Sequence, residues 1–390
     1  MKNNLKSTMQ NNDINEELNL FRESLEKFCD AEIEPYYAEW EKQGQVPREL
    51  FNKCAEAGLL CVDVPEAYGG LGVDARFSFA VVDVMSRRGY GGFVGGLQVH
   101  NDIIPPYLLH FGSEEQKQAW LPRLCSGEVV AAIGMTEPGA GSDLKNLRTH
   151  VRREGDGYVL NGSKIFISNG QHADLVVVAA KTDREAGAHG ISLFLVDTRL
   201  PGFKRGRNLE KVGQHAADTS EMFFDEMHLP ASALLGEAGK GFAMMMQELP
   251  RERLIIAVQS LGLAMGARDL TLRYVQEREA FGAPIAQLQN TRFTLAQVDT
   301  DIAAADALTE RGIECYCRGA LTPEDAAAMK LFTSEMAGRV ADSCLQLFGG
   351  YGYMVEYPIS RFWADARVIR IYGGTSEIMK EVIARSLLGR

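Results

Sequence analysis

The segment Tyr158-Val-Leu-Asn-Gly-Ser-Lys-Ile-Phe-Ile167 carries the strongest β signal of the chain. β-branched and aromatic residues stand on both sides of Asn161-Gly162, a dipeptide that suits a two-residue turn because both positions tolerate positive φ. The segment therefore predicts a β-hairpin. Short β-rich runs separated by Gly, Asn and Asp surround it, so the middle of the chain is predicted to form a β domain.

Helical periodicity replaces this β pattern towards both ends of the chain. Apolar residues between 18 and 28 fall on one face of a helix, and helical spacing returns after Gly241 and lasts to the end. Thr322 followed by Pro323 predicts the start of one C-terminal helix, with Thr322 as its N-cap. The predicted order is helices, a compact β domain, and helices again.

Composition limits the classes of protein to which the chain can belong. It has 390 residues, of which 46% are hydrophobic and 24% are charged, as in an ordinary soluble globular protein. The net charge of -11 argues against nucleic acid as a partner, because phosphate binding needs clustered Lys and Arg. Seven scattered cysteines, without a CxxC pair or a nearby histidine cluster, indicate reduced thiols and no metal site.

The sequence has neither the character of a membrane span nor that of a secretory signal. Its longest apolar stretch, Leu254 to Gly266, is interrupted by Gln259 and Ser260 and is shorter than the ~20 residues that a bilayer requires. The first fifteen residues are polar. We expect a cytoplasmic protein without stable membrane insertion, or a mitochondrial matrix protein if this is a mature form lacking a transit peptide.

Four segments that contain glycine could bind a ligand. The loop from Ile133 to Asp143 offers small residues, which let a ligand approach backbone N–H groups, together with two hydroxyl side chains. The others are 278–282, 346–352 and 371–377, of which the last precedes a helix that can receive phosphate. Ordinary turns explain each segment singly. Neither a GxGxxG after a strand nor a P-loop is present.

Glu252 stands in the charged triplet Arg251-Glu252-Arg253, directly before an apolar run. Local sequence leaves two interpretations open. If Pro250 is the first residue of a helix, Glu252 is a capping acid that the helix dipole favours. If the helix begins near Phe242 and Pro250 only kinks it, Glu252 lies in the helix interior and is a candidate reactive acid.

Taken together, these motifs resemble the acyl-CoA dehydrogenases, flavoenzymes that desaturate acyl-CoA thioesters between the α and β carbons. The resemblance runs from Tyr68-Gly-Gly-Leu-Gly72 through the 133–143 loop, Phe166-Ile-Ser-Asn-Gly170 and Asp218-Thr219 to the C-terminal helices. It therefore covers nearly the whole chain.

The fold that the resemblance implies is α+β and mainly α. An N-terminal α-helical domain would span residues 1–127, a middle β-barrel-like or sandwich domain 128–236, and a C-terminal four-helix bundle 237–390. This order agrees with the order that the sequence pattern predicts.

The resemblance also implies FAD as the cofactor and an acyl-CoA as the substrate. Positions that match flavin-binding residues of the family are Met135, Thr136, Gly141, Ser142, Phe166, Ser168, Arg278, Phe281, Gln289, Gln346, Gly349, Gly350, Thr375 and Glu377. Positions that match the substrate side are Ser142, Arg251, Arg253 and Gly374. The family often has Trp and Thr where this chain has Phe166 and Ser168, so an aromatic shield and a hydroxyl are kept.

The chain departs from many family members at the catalytic glutamate. Those members carry the glutamate in a Tyr-Glu-Gly-Thr segment. This chain has Tyr372-Gly-Gly-Thr375, so Gly373 stands at the position of the glutamate. A smaller set, including long-chain and isovaleryl types, carries the glutamate on the helix that opens the C-terminal domain, in a motif that Glu252 matches. The ending from Ile371 to Arg385 and the strand from His189 to Val196 look closest to the long-chain acyl-CoA dehydrogenases. The resemblance thus implies Glu252 as the base, with a pKa that burial would raise to ~6 to 7. Gly373 would offer its N–H to the thioester and omit a side chain that would collide with Glu252.

The implied partners are electron-transferring flavoprotein as electron acceptor and further copies of the chain in a homotetramer. An acyl-CoA oxidase, a flavin monooxygenase of the same fold, and a non-catalytic relative are the alternatives. A medium-chain, long-chain or branched acyl-CoA of fatty-acid catabolism is expected, without a choice among them. Glycines between 89 and 96 could deepen the acyl cavity or form a flexible surface loop.

Overall fold

The N-terminal region is helical. The computed structural model describes residues 2–389, with side chains described for residues 14–389. Its first helices are α1 (Lys2–Glu32), α2 (Tyr37–Gln43), α3 (Glu49–Glu56), α4 (Ala75–Arg87), α5 (Gly91–Gln98), α6 (Ile104–Phe111) and α7 (Glu114–Cys125). One turn of π-helix, Val99–Ile103, joins α5 to α6 without a break.

Strands replace helices in the middle of the chain and form one mixed sheet. They are β1 (Ala131–Gly134), β2 (His150–Glu154), β3 (Gly157–Ile167), β4 (Leu175–Lys181), β5 (Ile191–Asp197), β6 (Phe203–Asn208), β7 (Ser220–Leu229) and β8 (Leu234–Leu235). The strand order is β6-β7-β3-β2-β4-β5-β8, and β1 pairs in parallel with β4. Every residue of β4 is buried, as expected for a strand covered on both faces.

The predicted hairpin at Asn161-Gly162 is wrong, although its residues are in a strand. β3 continues through these residues with an irregularity in its pairing to β7 between Leu160 and Gly162. A Cβ at Gly162 would lie 2.4 Å from Thr149 Oγ1, so glycine is needed for the close approach of a neighbouring segment. The real hairpin joins β2 to β3, where Glu154 pairs with Gly157.

Long helices return after the sheet. They are α8 (Gly241–Glu277), α9 (Gln289–Cys317), α10 (Pro323–Leu347), α11 (Pro358–Ile369) and α12 (Ser376–Leu387), with a short ribbon of β9 (Glu279–Ala280) and β10 (Ala283–Pro284) after α8. α10 packs against α8, α9, α11 and α12, and α4 of the N-terminal region also packs against α8. The predicted cap of α10 is confirmed, since the Thr322 side chain accepts a hydrogen bond from Asp325 N.

Helix α8 is the central element of the α-helical core. Among residues 2–389 it is the one helix long and apolar enough to cross a membrane, and 83% of its most apolar stretch is buried inside the protein. A core helix has this composition because other elements cover it on every side. The order of helices, sheet and helices confirms the α+β, mainly α fold class. The domain boundaries 1–127, 128–236 and 237–390 stay a prediction.

The glycines between 89 and 96 do not form a flexible surface loop, and their role in deepening the acyl cavity stays a prediction. Most of them lie in the buried helix α5 and allow close packing. A Cβ at Gly91 would lie 2.5 Å from Asp365 Oδ2, and one at Gly96 would lie 2.2 Å from Asn169 Oδ1. Absence of a side chain therefore lets α5 approach α11 and the sheet region.

Candidate active site

Glu252 lies in the interior of α8. The helix begins at Gly241, so Pro250 is inside it and Glu252 is about three turns from its start. A residue this far from the first turn has no free backbone N–H group to cap. The capping interpretation is therefore excluded, and the helix places a carboxylate among the buried residues of the core.

The surroundings of Glu252 favour its protonated form. Glu252 is only 7% exposed, and Tyr107 Oη donates a hydrogen bond to its Oε1 at 3.1 Å. Burial raises the pKa of Glu252 to about 7; the Tyr107 bond and the Arg253 charge lower it, and the Glu248 charge raises it. A carboxylate with a pKa near neutral can accept a proton efficiently at physiological pH.

Arg251 does not face Glu252 but is held by other groups. Its guanidinium pairs with Asp63 at 2.7 Å and Asp102 at 3.0 Å, and Nη1 donates to Tyr316 Oη at 2.7 Å. These partners come from the N-terminal region and from α9, so Arg251 ties both to α8. The predicted substrate contact of Arg251 stays a prediction, since its Nε has no partner within the described residues.

Gly373 and Gly374 form a turn that packs against the same face of α8. Both have positive φ, +63° and +95°. A Cβ at Gly373 would lie 2.2 Å from Ile256 Cδ1, and Ile256 is one helical turn beyond Glu252. The predicted collision partner was the Glu252 carboxylate. Ile256 is the group that a Cβ at 373 meets first, and the collision of a longer side chain with the Glu252 carboxylate stays a prediction.

Two cations lie buried between this turn and α8. Lys330 of α10 is 0% exposed, and its Nζ donates to the carbonyl oxygen of Gly374 at 2.7 Å. Burial, and secondly the charge of Arg253, lower the pKa of Lys330 to about 8. Arg253 is 6% exposed and its Nε has no partner within the described residues. Its predicted contact with substrate stays a prediction.

The loop after β1 is supported from behind by a buried ion pair. Lys164 Nζ lies 2.8 Å from Glu137 Oε1 and donates to the carbonyl of Met135 at 3.0 Å. Thr136 in turn accepts a hydrogen bond from Ile165 N at 3.0 Å through its carbonyl. The loop is thereby fixed alongside β3, while no atom lies within 4 Å of a Cβ built at Gly141. Ser142 is exposed beside it.

Phe166 has an unusual conformation for an aromatic residue. Its φ is +61° and its side chain is 63% exposed. A bulky residue with positive φ in a strand costs energy and is most often kept where function requires it. Phe166 directly follows Ile165, whose backbone N–H bonds the 133–143 loop, and Ser168 is half-buried two residues further along the chain.

Several of the predicted cofactor residues in the C-terminal region line one cavity of about 520 Å³. Its lining includes Arg278, Gln346, Gly349 and Gly350, and the Arg278 guanidinium lies 5.6 Å from the centre of the Tyr351 ring. A guanidinium and an amide are donors suited to phosphate and to a polar ring edge.

The remaining predicted cofactor residues lie on the surface of the C-terminal region. Phe281 is 96% exposed, with φ +56°, in the β9–β10 ribbon. Gln289 is the first residue of α9, and Thr375 and Glu377 are at the start of α12. Within the described residues, no hydrogen bond or ion pair joins these positions or the Arg278 cavity to the 133–143 loop.

Comparison with known proteins identifies the family. Residues 15–128 match the acyl-CoA dehydrogenase N-terminal domain, residues 132–227 its middle domain, and residues 239–388 its C-terminal domain. The chain therefore belongs to the acyl-CoA dehydrogenase family. It is a flavin-dependent oxidoreductase, and members of the family are FAD flavoproteins.

Individual relatives cover almost the entire chain. It is 46% identical to the mitochondrial long-chain specific acyl-CoA dehydrogenase of Sus scrofa over 95% of this chain and 86% of that protein. It is 38% identical to an acyl-CoA dehydrogenase of Bacillus subtilis, with 96% and 99% covered. A solved acyl-CoA dehydrogenase from Geobacillus kaustophilus superposes with a TM-score of 0.93 at 46% identity, covering 95% of this chain and 98% of that chain.

The residues present fit FAD. Phe166 offers an exposed ring at positive φ, and the 133–143 loop has free space at Gly141, as a flat ligand requires. In the C-terminal region, the cavity around Arg278 has open space at Gly349 and Gly350, so phosphate can approach the backbone there.

Sequence reasoning missed three residues that contact the site. These are Tyr107, Lys164 and Lys330. Each is far in sequence from the group that it contacts. Lysine side chains are usually exposed, and a tyrosine in the core is usually there for packing, so the residue types gave no signal of a role in the site. The pairing of Lys164 with Glu137 had one weak signal, a lysine within an apolar β-strand.

Proposed function

We propose that the protein removes two hydrogens from the α and β carbons of a saturated acyl-CoA, giving the trans-2-enoyl-CoA, with Glu252 as the base. One observation carries the proposal: a buried carboxylate with a pKa of about 7 lies on the face of α8 that packs against the Gly373 turn. A carboxylate in such surroundings can remove an α-proton near neutral pH.

The negative charge that develops on the thioester oxygen needs hydrogen-bond donors and positive potential. The backbone N–H groups of the Gly373–Gly374 turn would supply the donors, in agreement with the roles proposed for both residues. Buried Lys330 bonds the Gly374 carbonyl of this turn, and the charge of buried Arg253 acts on both Glu252 and Lys330, so the turn and the base share a region of positive potential. Ser142 would contact the substrate from the loop of the middle region.

FAD would be held by two groups of residues. Met135, Thr136, Gly141, Ser142, Phe166 and Ser168 would hold the isoalloxazine side, with Phe166 covering one ring face. Arg278, Phe281, Gln289, Gln346, Gly349, Gly350, Thr375 and Glu377 would hold the pyrophosphate and adenosine. When bound, FAD supplies the acceptor, flavin N5, for the β-hydrogen that leaves as hydride.

A homotetramer would bring the two groups together across a subunit boundary. Two observations support this. Among residues 14–389 of one chain, no hydrogen bond joins the Arg278 cavity to the 133–143 loop. Apolar residues near that cavity are strongly exposed, Phe281 at 96% and Val355 at 88%. Such exposure is expected of a surface that another copy covers.

A long acyl chain is the proposed preference, because the Sus scrofa relative is long-chain specific. Electron-transferring flavoprotein is the proposed electron acceptor. The compartment, cytoplasm or mitochondrial matrix, stays a prediction.

Three measurements test this function. Purified protein should be yellow and should bleach anaerobically on addition of a straight-chain acyl-CoA, and trans-2-enoyl-CoA should accumulate. Glu252→Gln should remain yellow and lose at least a factor of ~10³ in turnover, since a base cannot be replaced by an amide. Retention of wild-type turnover would refute the base. Oxygen consumption equal to product formation would instead support the oxidase alternative.

A further inference from the structure

The two oxygens of the Glu252 carboxylate have different surroundings. Oε1 accepts the Tyr107 hydroxyl at 3.1 Å. Among the side chains of residues 14–389 no second hydrogen bond reaches Glu252, and Oε2 is not among the fully enclosed atoms that lack a partner. One oxygen is therefore bound by protein, and the other keeps accessible surface.

We infer that Tyr107 is a positioning residue for the base, holding Oε1 and leaving Oε2 free to accept the α-proton. The inference rests on the proposed function of Glu252 and adds a residue to it. Tyr107 is 0% exposed and its ring packs on Phe111 at a centroid distance of 6.2 Å. Its hydroxyl therefore has a fixed location from which to bind the carboxylate.

The π-helical turn explains how Tyr107 reaches α8. Val99–Ile103 inserts wider turns into the helix that runs from α5 to α6, which changes the direction of the side chains that follow. Within it, Asp102 bonds Arg251 at 3.0 Å, and one turn beyond it Tyr107 bonds Glu252. The same helix thus holds two consecutive residues of α8, one by an ion pair and one by a hydrogen bond.

Tyr107 also affects the charge of the base. The groups that act on Glu252 are Tyr107 from α6 and Glu248 and Arg253 from α8, and Glu248 itself bonds His110 of α6 at 2.8 Å. Burial raises the pKa of Glu252 to about 7, and Tyr107 is the strongest of the groups that lower it. A hydroxyl that donates to the ionised form stabilises that form, so its loss makes the base harder to ionise.

Tyr107→Phe tests the inference because it removes the hydroxyl and keeps the packed ring. Tyr90→Phe is the matched control, since Tyr90 is also 0% exposed and its hydroxyl bonds a carboxylate, Glu34, outside the site. Holoenzymes would be compared for kcat/KM and for exchange of the acyl-CoA α-hydrogen in D2O, from about pH 5.5 to about pH 9. Exchange reports proton removal without requiring net oxidation.

The expected result is an upward shift of about 1 pH unit in the midpoint of both profiles for Tyr107→Phe, the scale of one hydrogen bond to a charged group. Rates at high pH should then approach the wild-type values, and Tyr90→Phe should not shift the midpoint. An unchanged midpoint in Tyr107→Phe, with the rate either unchanged or lowered equally at every pH, would overturn the inference.

The same data separate this inference from the proposed function. Exchange that persists in Glu252→Gln would refute Glu252 as the base, and the role of Tyr107 with it. Exchange lost in Glu252→Gln, together with a wild-type midpoint in Tyr107→Phe, would refute the role of Tyr107 alone.

Discussion

Lys330 Nζ binds the carbonyl oxygen of Gly374 at 2.7 Å, and no carboxylate of residues 14–389 forms an ion pair with this buried ammonium group. The buried ammonium group of Lys330 therefore orients the Gly373–Gly374 turn by its hydrogen bond. With the Gly374 carbonyl held towards α10, the backbone N–H groups of the turn are free to point elsewhere. The contact links a helix of the C-terminal core directly to the proposed thioester site.

Lys330→Met should lower turnover more than stability. The variant removes an unpaired buried charge, which favours folding, but leaves the Gly374 carbonyl without a donor, which costs about 1 to 3 kcal/mol. We expect kcat to fall about tenfold, as for the loss of one hydrogen bond near the transition state. Steady-state kinetics and urea denaturation would measure both effects.

The matched control for this variant is Lys181→Met. Lys181 is also a buried lysine, and its Nζ bonds a glycine carbonyl, that of Gly187, in the middle region. It should lose stability without the fall in kcat. Equal losses of kcat in the two variants would contradict a role of Lys330 at the turn.

Gly373→Ala should destabilise the protein by about 2 to 4 kcal/mol. About 1 kcal/mol or more arises because alanine disfavours φ +63°, and about 1 to 3 kcal/mol arises from overpacking against Ile256 Cδ1. Ile256→Val deletes that methyl group. The variant that carries both Gly373→Ala and Ile256→Val should therefore regain the stability lost to overpacking, but not the stability lost to the backbone conformation. The free energies of unfolding would be measured by urea denaturation. Strictly additive effects of the two substitutions would show that the two residues are not in contact.

The pH dependence of stability should depend on Glu252. Its pKa is about 7 in the folded protein and 4.5 for an ordinary glutamate, so the native state binds the proton more tightly. Its contribution to stability is complete below pH 4.5 and is lost as the pH rises through about 7.

Glu252→Gln should thus gain stability relative to wild type when the pH is raised from about 5 to about 8, by up to ~3 kcal/mol. Free energies of unfolding from urea titrations at the two pH values would measure the difference. A constant difference between the two proteins would show that the carboxyl is ionised at both. We also expect Glu252→Gln to lose activity. The two measurements therefore separate the effect of the buried carboxyl on stability from its role in turnover.

Arg251→Met should be the most destabilising of these variants, by about 3 to 5 kcal/mol, because it leaves Asp63 and Asp102 without their cation. Burial raises the pKa of Asp102 to about 6 even with Arg251 nearby. The loss should therefore be smaller at about pH 5, where Asp102 can take up a proton.

Arg385→Met is the comparison, since Arg385 also forms a short ion pair, with Glu381 at 2.6 Å, but on the surface. Its loss should cost less than about 1 kcal/mol. Denaturation of both variants would be measured at equal protein concentration. Equal losses would mean that the pairs of Arg251 are screened by water.

Local features of the chain were predictable where neighbouring residues decide them. Thr322 caps α10 as its sequence predicts, and the β character of residues 158–167 is correct. The continuation of β3 through Asn161-Gly162 without a turn was not predictable, because Gly162 is required by the approach of Thr149 and not by its own neighbours. The turn preference of a dipeptide shows only which conformations it can adopt, and the pairing of its strand in the sheet decides which of them it adopts.

The sequence by itself determined the order of helices, strands and helices and the family, and it offered Glu252 as the candidate base where position 373 has no carboxylate. These follow from periodicity and motif, which depend on residues close together in the chain. Only the tertiary structure decided that Glu252 lies inside α8, that Tyr107 binds it and that Lys330 holds the Gly374 turn. Tyr107 and Glu252 are 145 residues apart, and burial, which raises the pKa of the acid, exists only once distant elements have packed around it.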